Sequence, residues 1–118
     1  SITFDIFWNT KQFLIDTSAV KCGFEIPLHS IGYGCRIGHR CGIILNPGTR
    51  IGNYCCLYRS TFADGHHKHI GNNVFIGTNV VVCKETNIAD GCSISAMTFV
   101  NKSIDIPNSL WGGTSKAA

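Results

Sequence analysis

At 118 residues the chain is one domain, and ten Lys and Arg against seven Asp and Glu leave a mild net charge of +3. No Lys/Arg run and no interleaving of aromatic with basic residues occurs, which argues against a nucleic-acid platform, and the apolar runs fall far short of the ~18–20 residues that span a bilayer. Charged residues are only 14%, where about 25% is usual, so part of the surface is expected to be buried against another copy of the chain.

Residues 1–22 carry no repeat. Phe4, Ile6, Phe7, Trp8, Phe13, Leu14 and Ile15 predict one face of a short helix, starting near Asp5 or Asn9-Thr10, that covers the first coil of the repeat as a cap. From residue 23 to residue 105 the chain reads as a different object. Ile31, Ile37 and Ile43 stand six residues apart, with Cys35 and Cys41 two residues before the later beats. Two extra residues then enter, and the series resumes at Leu45, Ile51 and Leu57, with Thr49, Cys55 and Thr61 as the small partners. A slip of one residue separates the next beat, Ala63, from Ile70. The longest run comes after it: Ile70, Ile76, Val82, Ile88, Ile94 and Val100, accompanied by Val74, Val80, Thr86, Cys92 and Thr98. Residues 106–118 loosen through Ile106-Pro107-Asn108-Ser109 into a turn, since proline cannot donate to a ladder, and end in a strand-like tail around Trp111 to Lys116.

A period of six with a fixed small partner fits neither an amphipathic helix nor a simple alternating strand. It is the pattern of an all-β, parallel β-helix built from hexapeptides, in which three units make one coil and aliphatic side chains stack between coils. At about 18 residues per coil, the repeat makes about four coils. Cys35, Cys41, Cys55 and Cys92 occupy small-partner slots, no CxxC pair exists, and the cysteine count of seven is odd. With no signal-peptide pattern, these features predict reduced, structural thiols and a cytoplasmic setting.

Insertions in a solenoid must leave the packed prism as loops, often on its binding face. Four of the five histidines lie at or beside the two breaks, which marks the breaks for chemistry. His39 is either a general base at a corner, because imidazole as a class titrates near neutral pH, or an exposed corner residue. Glu25, about one coil below, is either the carboxylate that orients that imidazole or a solvated charge. His66, His67 and His69 allow three readings: substrate or catalytic contact, a polar loop, or a metal site. The last is weakened because successive strand side chains point to opposite faces and no carboxylate or thiol set completes a coordination shell, so no metal is expected.

The segments Glu25-Ile26, Ile31-Gly32-Tyr33-Gly34, Ile37-Gly38-His39, Gly42-Ile43-Ile44-Leu45-Asn46-Pro47, Ile70-Gly71-Asn72-Asn73-Val74-Phe75-Ile76-Gly77 and Leu110-Trp111-Gly112-Gly113-Thr114-Ser115-Lys116 resemble the hexapeptide acyltransferases. The similar branch holds serine O-acetyltransferases and the acetyltransferases of exopolysaccharide biosynthesis. The resemblance implies a left-handed β-helix, homotrimers with active sites between subunits, and transfer of acetyl from acetyl-CoA to a hydroxyl. It implies His39 as the catalytic base, His67 as a second active-site histidine and Glu25 as the orienting carboxylate. Gly77, Lys102 and Lys116 would contact acetyl-CoA, and Asn46 and His66 the acceptor. Gly38 stands where serine acetyltransferases carry an acidic residue, and His66 where they carry an arginine, so a sugar acceptor is expected ahead of serine. Readings from other classes are a zinc enzyme of the γ-carbonic-anhydrase type and a non-enzymatic β-helical assembly module.

Overall fold

The computed structural model describes residues 2–3, 23–27, 29–39, 42–113 and 116–117, so the expected helix within residues 1–22 lies outside the described residues. β1 (Ile2–Thr3) precedes the solenoid. The first full coil then comprises β2 (Arg36–Ile37), β3 (Ile43–Leu45) and β4 (Thr49–Ile51). The second is β5 (Cys56–Leu57), β6 (Ser60–Phe62) and β7 (Lys68–Ile70), and the third is β8 (Phe75–Ile76), β9 (Val80–Val82) and β10 (Asn87–Ile88). The fourth is β11 (Ser93–Ile94) and β12 (Phe99–Val100), completed by a bridge between Ile104 and Ile88. β13 (Leu110–Gly112) and β14 (Lys116–Ala117) end the chain. The protein is thus an all-strand parallel β-solenoid of about four turns, with no helix among the described residues.

Equivalent strands of successive coils pair in parallel and make three sheets. Sheet A contains β2, β5, β8, β11 and β13; sheet B contains β3, β6, β9 and β12; sheet C contains β4, β7 and β10. Antiparallel strands close sheet A at both ends, β1 on β2 and β14 on β13. The hexad ladder is the interior. In sheet A, Ile37, Leu57, Ile76 and Ile94 stand in register, and in sheet C Ile31, Ile51, Ile70, Ile88 and Ile104 do the same. Each is at most 4% exposed, so the apolar periodicity is the packing of one coil on the next.

Sheet B corrects the sequence reading at two points. Phe62, not Ala63, takes the ladder position, in register with Leu45 and Val82, and Ser60 rather than Thr61 is buried beside it. From Leu57 to Phe62 the chain advances five residues instead of six, and from Phe62 to Ile70 eight. The two departures sum to the single-residue slip visible in sequence. Ile43 sits in the small-partner slot with Ser60 and Val80, so the first pair of extra residues lies between Ile37 and Ile43, around His39.

The edge joining sheets C and A is regular. Asn53 Oδ1 accepts from the Tyr33 amide at 3.1 Å, Asn72 Oδ1 from Asn53 at 2.8 Å, and Asp90 Oδ1 from Asn72 at 2.7 Å. Gly52 has no Cβ because Asn72 and the Gly71 backbone occupy that space. Inside this edge Cys35 donates to the Gly52 carbonyl, Cys55 to Gly71 and Cys92 to Ile106, at 3.1, 3.1 and 3.3 Å. Its contact with the Cys35 thiol, and then burial, push the Cys55 thiol far above its ordinary range. These buried thiols pack the prism and are poor nucleophiles.

Candidate active site

Both enlarged corners flank sheet B, at its opposite ends. The first joins sheets A and B in coil one. Ile37 ends β2, and five residues carry the chain to Ile43, where coil three needs three to pass from Ile76 to Val80. His39 projects from this excursion and is exposed. The coil above is short at the same edge, passing from Leu57 to Ser60 with only Tyr58 and Arg59 between. A long corner therefore lies beneath a short one.

The fit is close. A Cβ on Gly38 would overlap the Tyr58 ring, and one on Gly42, whose φ is +78°, would lie 2.7 Å from Arg59 Cγ. Tyr58 meets His39 edge-on with ring centroids 5.5 Å apart, and on its other side packs against Phe75 at 5.6 Å. Gly38 thus leaves room for an aromatic wall beside the histidine. Gly77 lies two coils along the same edge, buried against the Ala96 backbone. The backbone bonds Gly38 N to Leu57 O, Tyr58 N to Ile76 O, and Gly77 N to Ile94 O fix that stacking, at 2.8, 3.0 and 2.9 Å.

The second corner, residues 63–67 between sheets B and C of coil two, carries His66 and His67, both exposed. Lys68 comes directly after it. The lysine occupies the interior slot held by Thr49 below and Thr86 above, and its side chain is fully buried. Its Nζ donates to the Asp64 carbonyl at 2.5 Å and to Asn46 Oδ1 at 3.4 Å. Burial pushes the ammonium below its ordinary range, and the nearby Cys83, Asp64 and Glu85 oppose that shift. The inserted residues supply the carbonyl that the charge needs, so insertion and buried cation explain each other.

Asn46 completes the clamp. Its Nδ2 donates to the Gly65 carbonyl, and its Oδ1 also accepts from Thr49 Oγ1 at 2.6 Å. The amide expected to meet an acceptor is therefore engaged in holding the loop. Lys102 is exposed at the same B–C edge, two coils farther along. Lys116 pairs with Gly112 in sheet A, and its side chain lies outside the described residues.

Within one chain the expected site residues fall into two groups. His39 and Gly77 share the A–B edge; Asn46, His66, His67 and Lys102 share the B–C edge, separated from the first by the width of sheet B, roughly 10 Å for a three-residue strand. Glu25 is exposed on sheet B opposite Ile44, and among the described residues no hydrogen bond or ion pair joins it to His39. Also among the described residues, no group of three His, Cys, Asp or Glu side chains could hold a metal ion.

Sequence reasoning missed Lys68, Tyr58 and Arg59. Lys68 stands two residues before Ile70, the small-partner slot, so its position in the repeat carried the signal. Tyr58 and Arg59 are found only by stacking coils, because they act on residues 20 and 17 positions earlier.

Residues 67–102 match the family described as bacterial transferase hexapeptide (six repeats). The chain is 26% identical over 111 residues to the serine acetyltransferase of Buchnera aphidicola subsp. Schizaphis graminum, covering 82% of this chain and 42% of the relative. It is 27% identical over 105 residues to that of Synechococcus elongatus, with the same coverage of each. The chain thus spans less than half the length of these curated relatives. Among solved structures, the serine acetyltransferase of Neisseria gonorrhoeae superposes with a TM-score of 0.68 at 22% identity, over 81% of this chain and 39% of that one. The soybean serine acetyltransferase gives 0.65 at 22% identity, over 78% and 38%. At this identity the superpositions speak for the solenoid fold. The hexad ladder, the stacked coils and the repeat match agree, and over residues 67–102 the chain is similar to the hexapeptide-repeat transferases.

Proposed function

We propose that this chain forms part of an O-acetyltransferase that moves acetyl from acetyl-CoA to a hydroxyl, with serine the first acceptor to test. The observation that carries this reading is His39, held out on an enlarged corner of a solenoid whose sequence relatives are serine acetyltransferases. His39 takes the proton of the acceptor hydroxyl as that oxygen attacks the thioester carbonyl. The tetrahedral oxyanion collapses, the C–S bond breaks, and the imidazolium returns the proton to the departing CoA thiolate. Backbone N–H groups near the site stabilise the oxyanion.

His67 and Glu25 enter as the second histidine and the orienting carboxylate. Because His39 and His67 sit at opposite ends of sheet B, one chain alone does not close the site. In a homotrimer, the A–B edge of one protomer would face the B–C edge of its neighbour. Gly77, Lys102 and Lys116 are the candidate contacts for acetyl-CoA, and His66 the candidate contact for the acceptor. The buried thiols of Cys35, Cys55 and Cys92 favour a reducing, cytoplasmic setting.

The relatives' names favour serine over the sugar expected from sequence. A sugar hydroxyl remains the second reading on one observation: the space beside Gly38 is filled by the Tyr58 ring. The test is thiol release from acetyl-CoA with serine and a panel of sugars, alongside His39→Ala. Acceptor-dependent release that falls roughly 10²-fold or more in the variant supports the transferase. Release that ignores His39 sinks it.

A further inference from the structure

The short corner above His39 does more than fill space. Tyr58 and Arg59 leave adjacent Cα atoms, about 3.8 Å apart, and straddle the His39 loop, Tyr58 over Gly38 and Arg59 over Gly42. The Arg59 stem crosses the loop at a glycine with φ +78°, where a β-carbon would crowd Cγ, Cδ and Nε at 2.7, 3.1 and 3.2 Å. Arg59 is exposed, and among the described residues its side chain makes no hydrogen bond or ion pair. A planar guanidinium thus stands at one end of the loop that presents His39, with an aromatic ring in contact with the imidazole at the other. An arginine fork matches a carboxylate with two parallel hydrogen bonds.

We infer that Arg59 receives a carboxylate on the acceptor, so that the hydroxyl acetylated at His39 belongs to a molecule that also carries a carboxylate group. The inference rests on the transferase reading for the word acceptor, and on the Tyr58–Arg59 clamp for the charge. A free hydroxy amino acid such as serine and a uronic-acid sugar share this chemistry.

The test compares serine with serinamide, and glucuronate with glucose, in wild type, Arg59→Gln and Arg59→Lys. Arg59→Gln raises KM for the carboxylate acceptors roughly tenfold or more, about 1.4 kcal/mol. Its effect on kcat and on the uncharged analogues is at least several-fold smaller. Arg59→Lys restores part of the loss as a point charge without the fork. Whichever pair shows the discrimination identifies the source of the carboxylate. Equal losses on charged and neutral acceptors, or none on either, overturn the inference and leave the transferase standing. Direct titration of the same four compounds in the absence of acetyl-CoA separates the two readings. Carboxylate binding that Arg59→Gln abolishes, without thiol release under any condition, supports Arg59 and removes the transferase.

Discussion

The two enlarged corners solve one problem by opposite means. At the A–B corner, side chains of the next coil lie over glycines, and the loop is held from outside. At the B–C corner the loop is held from inside, by a lysine whose ammonium reaches back to a loop carbonyl, and by Asn46 below. Its backbone is also locked: a Cβ on Gly48 would run into the His66 carbonyl, and one on Gly65 would approach the Lys84 carbonyl carbon at 2.7 Å. An outside grip leaves the loop's surface adjustable by exchanging side chains. An inside grip ties the loop to the core.

That difference can be broken experimentally. The largest effect belongs to Gly48→Ala. The site has φ +90° and a backbone atom in the way, so loop and coil must separate at about 3 kcal/mol or more in urea unfolding. Next comes Lys68→Ala, which leaves the Asp64 carbonyl unpaired and opens the interior, at about 2–3 kcal/mol. Lys68→Met keeps the volume and should lose less. Gly42→Ala, the outside counterpart of Gly48→Ala, meets only the flexible Arg59 stem besides its positive φ, and is expected to lose about 1 kcal/mol. Equal losses for Gly42→Ala and Gly48→Ala would erase the distinction between the two grips.

The smallest effect is one of pH. Burial holds Lys68 below its ordinary 10.5, so the unfolded chain keeps that proton to higher pH than the folded one. The cost of the buried charge is fully present below the lowered value. Stability attributable to Lys68 rises with pH from there up to 10.5, and no further. Subtracting the unfolding profile of Lys68→Met from that of wild type exposes this slope; a flat or falling difference contradicts it.

Much of this molecule was legible because interior packing has a period. Ile31 to Ile88 on sheet C and Ile37 to Ile94 on sheet A are buried as their spacing requires, and Cys35, Cys55 and Cys92 fill the slots their size suits. Phe62 was misread because a one-residue deletion and a two-residue insertion leave a net slip of one, and Ala63 satisfied that arithmetic. Lys68 escaped because a charged residue is not sought in an interior slot, although an insertion just before it can supply partners. At the candidate site, His39 was marked by the break in the repeat. The Tyr58 and Arg59 grip was not, because it depends on how a short corner settles on a long one, which no spacing within a single coil encodes.

The antiparallel strands at the two ends of sheet A bear on how this stack of coils meets other chains. A parallel coil presents the same ladder of donors and acceptors at each step, so a bare terminal coil invites another chain to continue the stack. β1 and β14 reverse strand direction on sheet A and end the parallel register there. On that face they are chain terminators, and they oppose end-to-end growth into filaments by an interior that would otherwise extend without limit.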